Sequence, residues 1–219
     1  MNKVNQIWTL LQNELRLEWR GKAAINSILL YVVVVTYVLH TGISYVDASL
    51  WNALFWIVVT FSSVNALAKS FIGESEAKRL YYYSLVGPQV FYIAKAVYNF
   101  LLLLVLALLS FVGLVLFVGE VEIQSSLYWL CILLGSFGFS LIMTMVSAIA
   151  AKGNSAGNLM SILSFPVLIP TLMFLMDLSI KGMFGATISQ ELNDVMLLTM
   201  LNVLIFSVSM VLFPYLWRD

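Results

Sequence analysis

The 219-residue chain has one cysteine, one histidine and four prolines, and only 10% of its residues are charged. The lone Cys131 excludes a disulfide framework and any cysteine-rich metal site. Eleven Lys and Arg balance eleven Asp and Glu, so there is no basic excess of the kind that nucleic acid demands. A soluble domain carries roughly 25% charged residues, and this chain holds less than half of that. What fills the space is apolar: 62% hydrophobic residues, with a mean hydropathy of +0.98. An ordinary soluble domain is excluded, and a polytopic membrane protein is expected.

A helix crosses the hydrocarbon core with about 20 mostly apolar residues. Six such runs are present, roughly 24–44, 50–71, 90–118, 127–151, 159–178 and 195–216. They are continuously apolar, without the period-two alternation of a membrane β-barrel. The expected fold class is all-α, a single domain of six transmembrane helices over residues 1–219. The rest of the chain is too short for a separate soluble domain.

Basic residues set the orientation. Lys3, Arg16, Arg20 and Lys22 precede the first run, and Lys69, Lys78, Arg79 and Lys95 lie around the second and third. Lys152 and Arg218 fall on the same side, and only Lys181 falls on the other. Ten against one places both termini in the cytoplasm, and an even number of spans agrees with that.

Residues 1–22 read as an amphipathic helix lying in the membrane interface. At 100° per residue, Val4, Trp8, Leu11, Leu15 and Trp19 share an arc of about 80°, with Asn5, Gln12, Asn13, Arg16 and Arg20 opposite. Trp8, Arg16, Trp19 and Arg20 suit the headgroup level as an interfacial anchor.

The other feature outside the spans is residues 72–89. Ser75 is an expected N-cap, and Gly87-Pro88 a helix stop. Glu74 and Glu76 open the helix and Lys78 and Arg79 follow, with Glu74 and Lys78 spaced i,i+4. Leu80, Tyr81, Tyr82, Tyr83, Leu85 and Val86 are too apolar for a solvated loop. Two readings stand. The tyrosines form an interfacial aromatic belt, or the helix docks a cytoplasmic partner through Glu74, Glu76, Lys78, Arg79, Leu80, Tyr81, Tyr82 and Leu85.

Motifs for chemistry are scarce. Gly21-Lys22 is followed by Ala23, so no Walker A loop exists and ATP chemistry needs another subunit. Gly153-Asn154-Ser155-Ala156-Gly157 has the spacing of a nucleophile elbow, but between two apolar helices it reads as a flexible turn. His40 lies near the outer end of the first span, as a haem ligand or, more simply, an interfacial hydrogen-bonder. The span centres hold no acid, which argues against an aspartyl protease and a proton relay. Asn65, Asn99 and Asn202 are expected to hydrogen-bond between helices, and Gly135, Gly138, Ser140, Ser147, Ala148 and Ala151 to permit close packing. Pro166 and Pro170 bend the fifth span, either for packing or as a flexing element.

Three stretches carry a family resemblance, in a chain near 220 residues without a large external domain. These are Leu-Gln-Asn-Glu-Leu-Arg-Leu-Glu-Trp-Arg at 11–20, the acidic-then-apolar helix with its proline and Ala-Lys step at 71–95, and Ser-Ile-Leu-Ser-Phe-Pro-Val-Leu-Ile-Pro-Thr-Leu-Met-Phe at 161–174. Together they resemble the haem exporter protein B (CcmB) family, permease subunits of an ABC-2-type transporter in cytochrome c maturation. Lys78-Arg79-Leu80 departs from the family's Gly-Ser/Thr-Leu step. The resemblance implies a bacterial inner-membrane protein that is not itself an enzyme, with a cytoplasmic ABC ATPase subunit as partner and the 72–89 segment as its coupling helix. It also implies other membrane subunits that handle haem. Haem is then the cargo of the complex, or a loaded haem chaperone is what it releases, and this chain binds no cofactor itself. The same architecture exporting a lipid, glycan or drug, or a non-transporting scaffold, are the alternatives.

Overall fold

A computed structural model describes residues 3–21, 23–43, 45–67, 82, 85–153 and 156–218. Among these residues there are seven helices: α1 (Lys3–Gly21), α2 (Ala23–Gly42), α3 (Ala48–Leu67), α4 (Pro88–Phe117), α5 (Leu127–Ala150), α6 (Ala156–Met183) and α7 (Leu192–Arg218). Five of them, α3 to α7, contain stretches long and apolar enough to cross a membrane. The apolar part of α2 within the fully described residues, Leu29–Gly42, is shorter. Each of the six apolar runs coincides with a helix from α2 to α7, with ends moved by a few residues.

The largest shift is in α6, which continues through Met183 instead of ending near residue 178. Ser179 causes no break, because its hydroxyl donates back to the Leu175 carbonyl and its side chain is buried. The helix stops at Gly185, where φ is +90°. The Ala186 N–H reaches the Lys181 carbonyl at 3.0 Å and the Gly185 N–H reaches that of Gly182 at 3.3 Å. This pair of bonds around a left-handed glycine is a Schellman cap.

α5 is the central post, buried along nearly its whole length. Its small residues are where the neighbours come closest. A Cβ on Gly135 would lie 2.8 Å from the Trp56 ring of α3 and 2.9 Å from Leu175 of α6. Gly138 leaves the space occupied by the Asn202 amide of α7, which donates to the Leu134 carbonyl at 3.1 Å. Asn99 of α4 donates to Thr144 of α5 at 2.8 Å. α2 packs on α4 where Val32 and Thr36 meet Gly113.

The two ends of the bundle are closed differently. At one end, Trp51, Phe55, Phe111, Tyr128 and Trp129 form a ring cluster, and Trp51 donates to the Gly119 carbonyl at 3.2 Å. Beside it, the single Ser179 hydroxyl proton of α6 is shared between the Leu175 carbonyl and the Asn52 amide oxygen, 2.9 Å away, and the hydroxyl accepts from Trp56 at 2.8 Å, pinning α6 to α3. Lys181 sits among Asp177, Glu191 and Asp194 at 2.8, 2.8 and 3.0 Å, joining the end of α6 to the start of α7. The opposite end holds α1, the start of α4 and the end of α7.

Candidate functional site

α1 lies against α4 through a polar face. Its apolar arc is divided: Leu11 is buried, while Val4, Trp8 and Leu15 remain exposed. The flank next to Leu11 carries Leu10, Glu14 and Glu18, each a helical turn apart, and this flank meets the protein. Glu14 pairs with Lys95 at 3.3 Å, with side-chain exposures of 14% and 5%. One turn along, the Tyr98 hydroxyl donates to Glu18 at 3.2 Å. Spacing of i,i+4 on α1 against i,i+3 on α4 makes two adjacent rungs, which fix the register of one helix on the other.

The same end holds the last part of the 72–89 segment. Tyr82 is 7% exposed, and its phenol oxygen accepts from the Asn13 amide of α1 at 3.1 Å. Its ring packs on Phe91 of α4, with centroids 5.2 Å apart. Phe91 in turn meets Trp217 of α7 at 4.7 Å, Trp217 meets Phe213 at 5.6 Å, and Phe213 meets Tyr92 of α4 at 5.2 Å. Aromatic pairs at these separations gain about 0.5–1.5 kcal/mol beyond area burial. Four parts of the chain therefore converge on Tyr82 and Phe91: the segment ending at Gly87, α1, α4 and α7.

The residues expected from sequence fall in different places. Glu74, Glu76, Lys78, Arg79, Leu80 and Tyr81 lie outside the described residues, as do the side chains of Trp19 and Arg20 and the residue Ser155. Of the expected docking set, Tyr82 faces inward and Leu85 is 53% exposed. Trp8 is exposed, as is Arg16 one face away. His40 is exposed in the last turn of α2. Pro166 and Pro170 both lie on the outer face of α6 within one unbroken helix.

Sequence reasoning missed Glu14, Glu18, Lys95 and Tyr98 as a unit. Lys95, counted as a marker of sidedness, lies in the second turn of α4 and is buried. The signals that could have found the clamp are a lysine inside an apolar run and two carboxylates one turn apart on an otherwise apolar flank.

Long apolar helices around a buried post, with a peripheral amphipathic helix clamped at one end, define an all-α multi-pass membrane protein. The model of the family described as CcmB protein matches residues 5–215. The chain belongs to that family, the permease subunits of an ABC transporter system in cytochrome c maturation. A comparison with curated proteins finds no match.

Proposed function

We propose that residues 1–219 form a single six-span permease domain, with α2 as its first span, both termini cytoplasmic and α1 lying in the interface of a bacterial inner membrane. The exposed Val4, Trp8 and Leu15 edge of α1 meets lipid, and Arg16 and Arg20 meet headgroups. The coupling helix lies within residues 72–89, ahead of α4, and takes up motion from a separate cytoplasmic ATPase through Glu74, Glu76, Lys78, Arg79, Leu80 and Tyr81. The output is haem export, or release of a loaded haem chaperone, in concert with haem-handling membrane subunits. This chain holds neither haem nor ATP as its own cofactor.

One observation carries this reading: Tyr82, at the trailing end of the coupling segment, is seated on α1 and α4, and its α4 neighbour Phe91 meets Trp217 of α7. A packed aromatic contact passes displacement on, because interiors packed to this density deform little. Movement of the segment is therefore delivered to α4 and α7.

Two variants separate docking from transmission. Leu80→Asp with Tyr81→Asp should abolish co-purification of the ATPase subunit and cytochrome c formation. Tyr82→Ala should keep the ATPase subunit bound while lowering cytochrome c formation about tenfold, as expected when a coupling contact of about 1.4 kcal/mol is lost. If the Leu80/Tyr81 double variant retains both the ATPase subunit and cytochrome c formation, the docking role is wrong.

A further inference from the structure

A hydroxyl inside a helix has a ready partner in the carbonyl three or four residues back. Most buried hydroxyls of this bundle take it: Thr36 donates to Val32, Thr60 to Trp56, Ser63 to Thr60, Ser140 to Phe137 and Thr144 to Ser140. Ser62, Ser110 and Ser136 do not. They are 2%, 0% and 3% exposed, and among the described residues their Oγ atoms have no hydrogen-bond partner. Such atoms are rare, because burial removes their hydration and nothing replaces it.

The three stand on different helices and turn to one seam. On α5, Ser136 lies between Gly135, whose notch takes the Trp56 ring of α3, and Phe137, whose ring meets Phe100 of α4 at 5.8 Å. Successive helical residues are about 100° apart, so Ser136 points between α3 and α4. On α3, Ser62 is about two turns past Phe55 and shares its face, and Phe55 meets Phe111 of α4 and Tyr128 of α5. On α4, Ser110 is about three turns past Asn99 and shares its face, and Asn99 donates to Thr144 of α5 at 2.8 Å. Depth agrees as well. Both α3 and α5 run inward from the Phe55–Tyr128 contact, and at about 1.5 Å per residue Ser62 lies about 10 Å along α3 and Ser136 about 12 Å along α5. Ser110, beside Phe111 in the chain, lies nearer the ring cluster.

We propose that the α3–α4–α5 seam is a site for ordered water, one molecule bridging Ser62 and Ser136 and the hydrogen bonds continuing to Ser110. A hydroxyl both donates to and accepts from water, and buried water is held where two or more polar groups surround it. Leu103, Leu106 and Phe139, on the same faces, are fully buried and apolar, which suits a small neutral ligand and not an ion. A bridge through water is nearly as strong as a direct bond and adjusts in length, so α4 keeps its hold on α5 while shifting. That use of the seam rests on the reading of Tyr82 as the contact that moves α4.

The test is X-ray radiolytic footprinting of the full chain in its native membrane complex, read by mass spectrometry. Hydroxyl radicals formed from water inside the bundle mark the side chains beside it. Leu106 and Phe139 should be oxidised at least about fivefold faster than Leu178 and Phe213, which are just as deeply buried. Ser62→Ala with Ser136→Ala should remove that excess. The same variant reports through stability: losing hydroxyls that hold water should lower the melting temperature, whereas deleting unpartnered hydroxyls from a dry seam should raise it. Labelling no faster than at Leu178 and Phe213, or a raised melting temperature, would overturn the proposal. Tyr82→Ala is footprinted alongside. If it leaves cytochrome c formation unchanged while Leu106 and Phe139 keep their rapid labelling, the coupling reading fails and the wet seam stands.

Discussion

Glu14 and Lys95 meet 3.3 Å apart with little water around either side chain. Such a pair gains little over two apolar residues, yet removing one member leaves the other charge less well compensated, at a cost of up to about 3–5 kcal/mol. Lys95→Met should therefore lower stability in detergent by about 3 kcal/mol, and adding Glu14→Leu should recover part of the loss. Thermal unfolding of the two variants measures this, and equal damage from both would show that the pair does not act as a unit. At this scale the sequence was least legible. The charge count treated Lys95 as a marker of sidedness, because nothing local tells a surface lysine from a paired one. Its partner stands on another helix, far away in sequence. Tyr82 was equally opaque, since three consecutive tyrosines give no sign of which ring turns inward.

At the scale of the element, most of the architecture was readable. Apolar runs of spanning length became helices, since a run with no polar break has no other way to satisfy its backbone in lipid. The glycines of α5 were readable too, and Gly135 and Gly138 do admit side chains of α3, α6 and α7 where a Cβ would clash. The end of α6 was not, because Ser179 looks like a loop residue until its hydroxyl is seen bonding within the helix and to Asn52. The true stop depends on Gly185 at φ +90°. Gly185→Ala should cost about 1–2 kcal/mol of local stability, the usual penalty for a side chain in the left-handed region. Faster amide exchange across residues 184–191, with α3 and α5 unchanged, is the expected result. Uniform change along the chain would mean that the cap has no local role.

Across the whole molecule, each end has its own fastening. One end joins α3 to α6 and α6 to α7 through Ser179 and Lys181. The other joins α1 to α4 through Glu14, Glu18 and Tyr82, and α4 to α7 through Phe91 and Trp217. With the basic residues on the second end, that end should face the cytoplasm. In a Cys131→Ser background, Glu122→Cys should react with an impermeant maleimide in intact spheroplasts, whereas Lys152→Cys should react only after permeabilisation. The reverse pattern would invert the topology. Which helices touch could not be read beforehand, because the decisive pairs are distant along the chain.

That distance bears on how the protein is made. Asn52 and Ser179 are 127 residues apart, and at roughly 5–20 residues per second the ribosome needs on the order of ten seconds to get from one to the other. During that interval α3 is in the membrane with its amide and the Trp56 indole awaiting a partner. Glu14 and Glu18, by contrast, have already emerged when Lys95 and Tyr98 arrive, so the α1 end can close early. The α1–α4 clamp is thus assembled early in synthesis, and the far end locks only once α6 has been threaded into place.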